Sequence, residues 1–146
     1  MTKTSIEPTI KISDLMSRNI FYCENDVSIP KIAKMMMENW VDTIFCIDKN
    51  TRKVVGIITD GIIWGLVARA DEKIYKYNVK DVMYKGIITI DANTPINSIE
   101  ELKSKFDQSP VKRIAVTSDG KIIGLVRRKF IERVKRFSRH FDIEFT

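Results

Sequence analysis

The chain has 146 residues, 44% hydrophobic and 30% charged, a balance typical of a globular protein rather than a disordered one. No apolar run approaches the roughly 18 residues that a membrane-spanning helix needs, and residues 1–11 lack the apolar stretch of a secretion signal, so we expect a cytoplasmic protein without a membrane partner. The net charge of +6 favours partners that carry phosphate groups.

A first strand and helix are predicted between residues 20 and 40. Residues 20–23 are β-branched or aromatic and precede turn-forming residues, as in a strand. Ser28 can cap a following helix, and Pro30 suits its first turn. The apolar stripe of this helix is predicted at a spacing of four: Ile32, Met36 and Trp40. The methionines at 35–37 fit core filling, with an adaptable binding surface as the alternative.

A hairpin and a closing helix follow. Strands are predicted at 44–47 and 54–59, joined by the turn formers at 48–50, and a helix at about 61–69. That helix is apolar on more than one face, which predicts a contact with a second subunit; burial inside the same subunit is the alternative. The expected interface residues are Ile62, Ile63, Trp64, Leu66 and Val67.

The whole pattern then recurs. The sequence Ile-Ser-Asp-Leu-Met at 12–16 returns as Val-Lys-Asp-Val-Met at 79–83, and Val-Val-Gly-Ile-Ile at 54–58 returns as Ile-Ile-Gly-Leu-Val at 122–126. Further strands are predicted at 87–90, 114–116 and 121–126. A helix should begin at Thr94 as cap and Pro95 as first residue. Its stripe is Ile96, Ile99, Leu102 and Phe106.

A final helix is predicted at about 129–140. Residues 121–140 hold eight basic residues and one acidic residue, so the positive charge of the chain is concentrated there. The basic face fits a solvated surface, a rim that gathers phosphates near a nucleotide site, or a nucleic-acid footprint. Nucleic acid is the weakest of the three, because base-reading motifs and zinc knuckles are absent.

These elements predict an α/β fold, of the α+β type, with two tandem β-α-β-β-α repeats packed with pseudo-two-fold symmetry. The predicted boundaries are a tail at 1–9, repeat 1 at 10–70, a linker at 71–78, repeat 2 at 79–141 and a tail at 142–146. The only cysteines, Cys23 and Cys46, lie in apolar strand-like runs without a CxxC spacing. We expect buried free thiols rather than a metal site or a disulfide.

The motifs resemble those of the CBS domain. Asp-x-Met opens both repeats, at Asp14 and at Asp81, and Gly56-Ile57-Ile58-Thr59 ends the apolar strand of the first repeat. The resemblance covers about residues 10–140. It implies a CBS pair, also called a Bateman module, with two clefts that typically bind adenine nucleotides or related ligands, and a homodimer.

The family pattern Gly-x-x-Thr-x-x-Asp is only partly present. By resemblance, the aspartate accepts hydrogen bonds from ribose hydroxyls, while the threonine and the helix N-terminus favour phosphate. Thr59 stands in the threonine place of the first repeat, but Ile62 stands in the aspartate place, and the nearby Asp60 is a weak substitute. In the second repeat the two places hold Arg127 and Phe130.

The second site is therefore expected to be basic. Arg127 and Arg128 at a helix start are unfavourable for the helix dipole unless an anion lies there, which indicates phosphate; solvated arginines without a ligand are the alternative. By the resemblance, apolar side chains should face a purine, and Arg113 should reach phosphate. The expected ligand-binding residues are Ile20, Phe21, Thr43, Ile44, Ile58, Thr59, Asp60, Ile87, Lys112, Arg113, Arg127 and Arg128.

We expect no enzyme, no metal and no required cofactor. There is one histidine, no paired nucleophile and base, and no phosphate-binding glycine loop at 56–61. CBS pairs also occur inside IMP dehydrogenase, but its barrel of about 250 residues does not fit here. Three functions stay open: a regulatory module that binds AMP, ADP, ATP or a similar phosphorylated ligand, a dimerising adaptor for a protein partner, and nucleic-acid binding.

Overall fold

The computed structural model describes residues 10–129, which belong to two compact units. The first unit is Ser17–Ile88, and the second joins residues 10–16 to residues 89–129. The predicted final helix beyond residue 129, with Phe130 and most of the basic face, lies outside the described residues. In chain order the elements are α1 (Ile12–Leu15), β1 (Tyr22–Glu24), α2 (Ile29–Asn39), β2 (Thr43–Ile47), β3 (Val54–Thr59), α3 (Asp60–Ala68), a 3-10 turn (Glu72–Tyr75), α4 (Val79–Val82), β4 (Thr89–Asp91), α5 (Ile99–Asp107), β5 (Arg113–Ser118) and β6 (Lys121–Arg127).

Each unit contains a three-stranded sheet with the same topology. The strand orders are β1-β2-β3 and β4-β5-β6. The first strand of each sheet runs parallel to the second, and the second pairs antiparallel with the third through a hairpin. A helix connects the parallel strands in both units, as such a crossover requires. The two repeats and the α/β class predicted from the sequence are therefore confirmed within residues 10–129.

Helix α2 begins where the sequence predicts and ends one residue early. The Ser28 hydroxyl accepts a hydrogen bond from the Lys31 amide at 3.4 Å, and Ile32 and Met36 are buried. Trp40, predicted to continue the stripe, instead has a left-handed φ of 55° and is 93% exposed. A left-handed residue at the C-terminus of a helix redirects the chain, so the spacing of four no longer places this side chain over the core.

Helix α5 begins later than predicted. Thr94 and Pro95 do not start it; Ser98 is the cap, and its hydroxyl accepts a hydrogen bond from the Glu101 amide at 3.1 Å. The Thr94 carbonyl accepts a hydrogen bond from the Ile12 amide at 3.0 Å, while Pro95 bridges to Lys11. Tertiary pairing with the start of the chain therefore holds residues 94 and 95 in an extended segment.

The opening segments of the two repeats are exchanged between the units. In the second unit the Ser13 amide donates to the Ala92 carbonyl at 3.0 Å. In the first unit the Lys80 amide donates to the Asn25 carbonyl at 3.0 Å, and the Val79 amide donates to the Val27 carbonyl at 2.8 Å. Helix α1 thus completes the unit that contains the sheet of the second repeat, and α4 completes the unit that contains the sheet of the first.

The aspartate of each Asp-x-Met motif has a local structural task. Asp14 accepts a hydrogen bond from the Lys11 amide at 2.8 Å, and Asp81 accepts one from the Asn78 amide at 2.8 Å. Each carboxylate therefore satisfies an amide at the start of a one-turn helix. The motif marks the exchanged segment rather than a ligand site.

Gly56 lies where α4 meets the sheet of the first unit. A Cβ at this position would lie 2.5 Å from Met83 Sδ and 3.2 Å from the Tyr84 carbonyl oxygen. The Ile57 and Tyr84 backbones exchange hydrogen bonds beside it, both at 2.9 Å. A larger residue at this position would require Met83 and the Tyr84 backbone to shift.

Replacing Gly56 by alanine should therefore destabilise the protein by about 1–3 kcal/mol, the usual cost of overpacking a core position. Urea denaturation followed by circular dichroism measures the change. Gly61→Ala is the control, because its Cβ would meet only Thr59 Oγ1 at 3.7 Å and alanine favours a helix. Equal stability of the Gly56→Ala variant and the parent would contradict this account of the contact.

Candidate functional site

The corner where β2 begins and β3 ends brings together most of the residues predicted for the first site. Thr43 pairs with Thr59 and Ile44 pairs with Ile58 in the antiparallel register. All four side chains are buried. The two isoleucines therefore belong to the core of the unit, and the two threonines lie at the edge of the sheet where α3 starts.

Thr59 caps α3. Its hydroxyl accepts a hydrogen bond from the Ile62 amide at 3.2 Å. This is the standard use of a threonine at the N-cap, since it satisfies one of the amides that the first helical turn leaves without a partner. Ile62 occupies the family's aspartate place and packs against the core cluster. The described structure thus gives Thr59 a folding role that does not depend on a ligand.

Two carboxylates flank this corner. The Asp60 amide donates to the Asp42 carbonyl at 3.0 Å and so ties the end of β3 to the start of β2. Asp42 Oδ1 accepts a hydrogen bond from the Thr43 hydroxyl at 2.7 Å, and Asp60 Oδ1 accepts one from the Gly61 amide at 2.8 Å. The first corner is therefore negatively charged, and the sequence prediction had counted only Asp60 of the pair.

The second unit has the same backbone corner with the opposite charge. Arg113 pairs with Arg127, as Thr43 pairs with Thr59. The Arg128 amide donates to the Lys112 carbonyl at 3.1 Å, which is the equivalent of the bond between residues 60 and 42. The four cationic residues predicted for the second site, Lys112, Arg113, Arg127 and Arg128, are therefore brought together at one corner. We call them the basic corner.

The four cations are not equally available to a ligand. Arg113 is only 8% exposed, and its guanidinium donates to the Val111 carbonyl at 2.7 Å. The Arg113 side chain, which is predicted to reach phosphate, thus also stabilises the loop that precedes β5. The Arg128 guanidinium lies 3.9 Å from an Asp107 carboxylate oxygen, close to the largest separation that counts as an ion pair. The backbone of Lys112 is left-handed, with a φ of 56°.

Ile20, Phe21 and Ile87 contribute less to these corners. The Phe21 carbonyl accepts a hydrogen bond from the Phe45 amide at 2.9 Å, and its ring packs against the core cluster of the first unit. Ile20 precedes β1 and is half-buried. Ile87 precedes β4 and belongs to the first unit, whereas the basic corner belongs to the second.

The five residues of α3 that are predicted for a dimer interface differ in burial. Leu66 is buried within its own unit, and Ile62 and Ile63 are half-buried against the core cluster. Trp64 is 66% exposed and Val67 is 53% exposed, so only these two present most of their surface to solvent. Other large apolar side chains of the first unit are exposed but are not among the residues predicted for an interface: Met37, Trp40 and Tyr75.

The described residues contain neither a candidate membrane span nor a candidate metal site. None of the helices within residues 10–129 is both long and apolar enough to span a membrane. In the same part of the chain, no three histidine, cysteine, aspartate or glutamate side chains are grouped in a way that could hold a metal ion.

Comparison with known proteins agrees with the two-repeat architecture. The family model described as the CBS domain matches residues 12–63 and 79–129. Homoserine O-acetyltransferase from Methanohalobium evestigatum is 24% identical over 84% of this chain, but the chain spans only 24% of the length of that relative.

Solved structures show the same fold. A conserved protein from Pyrococcus horikoshii is 23% identical, with a TM-score of 0.72 over 95% of this chain and 100% of that one. The CBS domain pair of protein MJ0100, solved with 5′-methylthioadenosine and S-adenosyl-L-methionine, is 21% identical, with a TM-score of 0.70 over 90% of this chain and 100% of that one. At these identities the likeness extends to the fold alone.

The capping role of Thr59 predicts a specific stability effect. Thr59→Ala should lower the free energy of unfolding by about 1 kcal/mol, because the Ile62 amide loses its acceptor. Thr59→Ser keeps the hydroxyl and should recover most of that loss. Urea denaturation of the three proteins without any ligand is the measurement, and equal stability of the alanine and serine variants would contradict the capping role.

Proposed function

Because this chain belongs to the CBS domain family, whose model matches residues 12–63 and 79–129, we propose that it is a regulatory module that binds an adenine nucleotide or a similar phosphorylated ligand. The observation that carries the proposal is the basic corner. The nucleotide's phosphates contact this corner of the second unit, and the adenosine part is held by neighbouring apolar side chains.

The arrangement of like charges supports a phosphate ligand. Arg113 and Arg127 stand directly opposite each other on neighbouring strands, so two guanidinium groups belong to the same corner. Lys112 and Arg128 add two further positive charges beside them. A phosphate accepts charge-assisted hydrogen bonds from guanidinium groups, which are well shaped for it.

The opposite charge of the first corner supports a single phosphate site per chain. Asp42 and Asp60 occupy the places that Lys112 and Arg128 occupy in the second unit. Carboxylates do not donate hydrogen bonds to a phosphate, so we expect the phosphate at the second corner. The ligands of protein MJ0100 both contain adenosine, which supports the choice of an adenine nucleotide over another phosphate compound.

Calorimetric titration with AMP, ADP and ATP tests this proposal. We expect one site per chain and affinity that rises with the number of phosphates and falls with salt. The double variant Arg127→Gln, Arg128→Gln should bind at least about 10-fold more weakly, since each hydrogen bond from a charged group contributes about 1.5–3 kcal/mol.

Asp60→Asn is the matched control, because residue 60 is the counterpart of Arg128 in the first unit. It should bind ATP as tightly as the parent. Silence toward all three nucleotides at millimolar concentration, or equal ATP binding by the double glutamine variant, would refute the proposal. Equal affinity for ATP and for DNA or RNA fragments of matched charge would instead support a nucleic-acid function.

The exposed face of α3 favours a second candidate function, a dimerising adaptor. Trp64 and Val67 lie three residues apart on one face of a helix, and both are mostly exposed. A tryptophan is a frequent anchor of protein interfaces because it buries a large apolar area. On this account the occupant is a second copy of the chain, which places its own α3 against this face.

Sedimentation analysis tests the adaptor. The parent should sediment as a dimer at micromolar concentration. Trp64→Lys should raise the dimer dissociation constant at least about 10-fold, the loss expected at an interface hot spot, and so favour the monomer. Trp40→Lys is the control, since Trp40 is an exposed tryptophan that lies outside α3, directly after the end of α2. If nucleotides also leave the melting temperature unchanged, the adaptor replaces the nucleotide sensor as the function.

A further inference from the structure

The two cysteines of the chain meet inside the first unit. Cys23 lies in β1 and Cys46 in β2, and the two residues are direct partners in the parallel register. Both are free and buried, as the sequence predicted, and both belong to the same core cluster. Residues directly opposite on neighbouring parallel strands direct their side chains to the same face of the sheet, so the two thiols lie side by side.

The thiols are chemically unequal. A hydrogen bond from the Cys46 thiol to the Cys23 sulfur lowers the pKa of Cys23, and the same bond raises the pKa of Cys46, with burial as a further cause. The Ile44 carbonyl also lies 3.9 Å from Cys46 Sγ, at the long limit for a sulfur hydrogen bond. Cys23 is therefore the better nucleophile, because the thiolate is the reactive form.

The two thiols also differ in their exposure to solvent. Cys23 is 7% exposed and Cys46 is fully buried. Strand β1 is only three residues long and is the edge strand of its sheet. Short edge strands open locally at a small cost in free energy, and such opening admits a small oxidant to Cys23.

We infer that Cys23 and Cys46 are an oxidative modification site, at which a peroxide converts the thiol pair into a reversible disulfide between β1 and β2. The Cys23 thiolate attacks one peroxide oxygen, an S–O bond forms, the O–O bond breaks, and hydroxide leaves and takes up a proton. The Cys46 sulfur then attacks the sulfenic sulfur, the S–S bond forms, and the oxygen leaves as water with the Cys46 proton. Two thiols are oxidised and one hydrogen peroxide is reduced to two waters.

The geometry makes this disulfide labile. Neighbouring strands are about 4.8 Å apart, within the range of Cα separations that a disulfide tolerates. Side chains that stand parallel on adjacent strands do not converge as an unstrained disulfide requires, and strained disulfides are reduced readily. The bond would join the strand that follows Phe21 to the strand that begins at Thr43, and so would rigidify this edge of the first unit.

The test treats the full chain with hydrogen peroxide, alkylates the remaining thiols under denaturing conditions, and maps peptides by mass spectrometry. We expect a loss of about 2 Da, no alkylation and a peptide that links residues 23 and 46, all reversed by dithiothreitol. Two alkylated cysteines after oxidation, or a disulfide formed only between chains, would overturn the inference.

Single variants test the order of the two steps. In Cys46→Ser the Cys23 thiol should still be oxidised and should proceed to a sulfinic acid that dithiothreitol does not reverse, because no resolving thiol is left. In Cys23→Ser the Cys46 thiol should react at least about 10-fold more slowly, since it is fully buried and lies on the inner strand β2 rather than on the edge strand. Equal rates in the two variants would overturn the assigned roles, and the peptide map of the parent decides the disulfide even if either variant fails to fold.

Discussion

The exchange of α1 and α4 between the units is the constraint on which the rest of the structure depends. The amides of Ser13 and Lys80 donate to carbonyls just after the first strand of a sheet, and Gly56 leaves room for Met83 beside β3. The residues beside these amides, Ile12 and Val79, are fully buried, so the backbone hydrogen bonds hold each segment against the core of its unit. A unit is therefore complete only when the opening segment of one repeat reaches the sheet of the other.

The periodic signals predicted the elements well, because strands and capped helices are local. Ser28 and Pro30 predicted the start of α2, and the turn formers at 48–50 predicted the hairpin between β2 and β3. The signals failed where tertiary contacts override local preference. Thr94 and Pro95 have the chemistry of a helix start, yet the start of the chain pairs with them and the helix begins at Ile99. Trp40 leaves the stripe because its own left-handed backbone ends the helix, which a spacing rule does not register.

At the candidate site, too, the sequence predicted some features and missed others. Family resemblance identified the residues of both corners, but neither their charge balance nor their structural tasks followed from the motif. Asp42 was missed because it lies before the strand and outside the motif, and only the backbone bond from Asp60 shows that the two carboxylates are neighbours. The resemblance assigned Arg113 to the ligand, but the hydrogen bond from its guanidinium to the Val111 carbonyl did not follow from the motif. Thus one backbone frame supports two corners of opposite charge, and side chains alone distinguish them.

The exchanged segments also bear on how such a chain can arise. A polypeptide of half this length, with a single repeat, could complete its sheet only by taking the opening segment of another molecule, as in a domain-swapped dimer. Tandem duplication converts that bimolecular step into an intramolecular one, at an effective concentration that a short connection can raise to the millimolar range. The fused chain can then complete both sheets at dilutions where its half-length ancestor would dissociate and unfold.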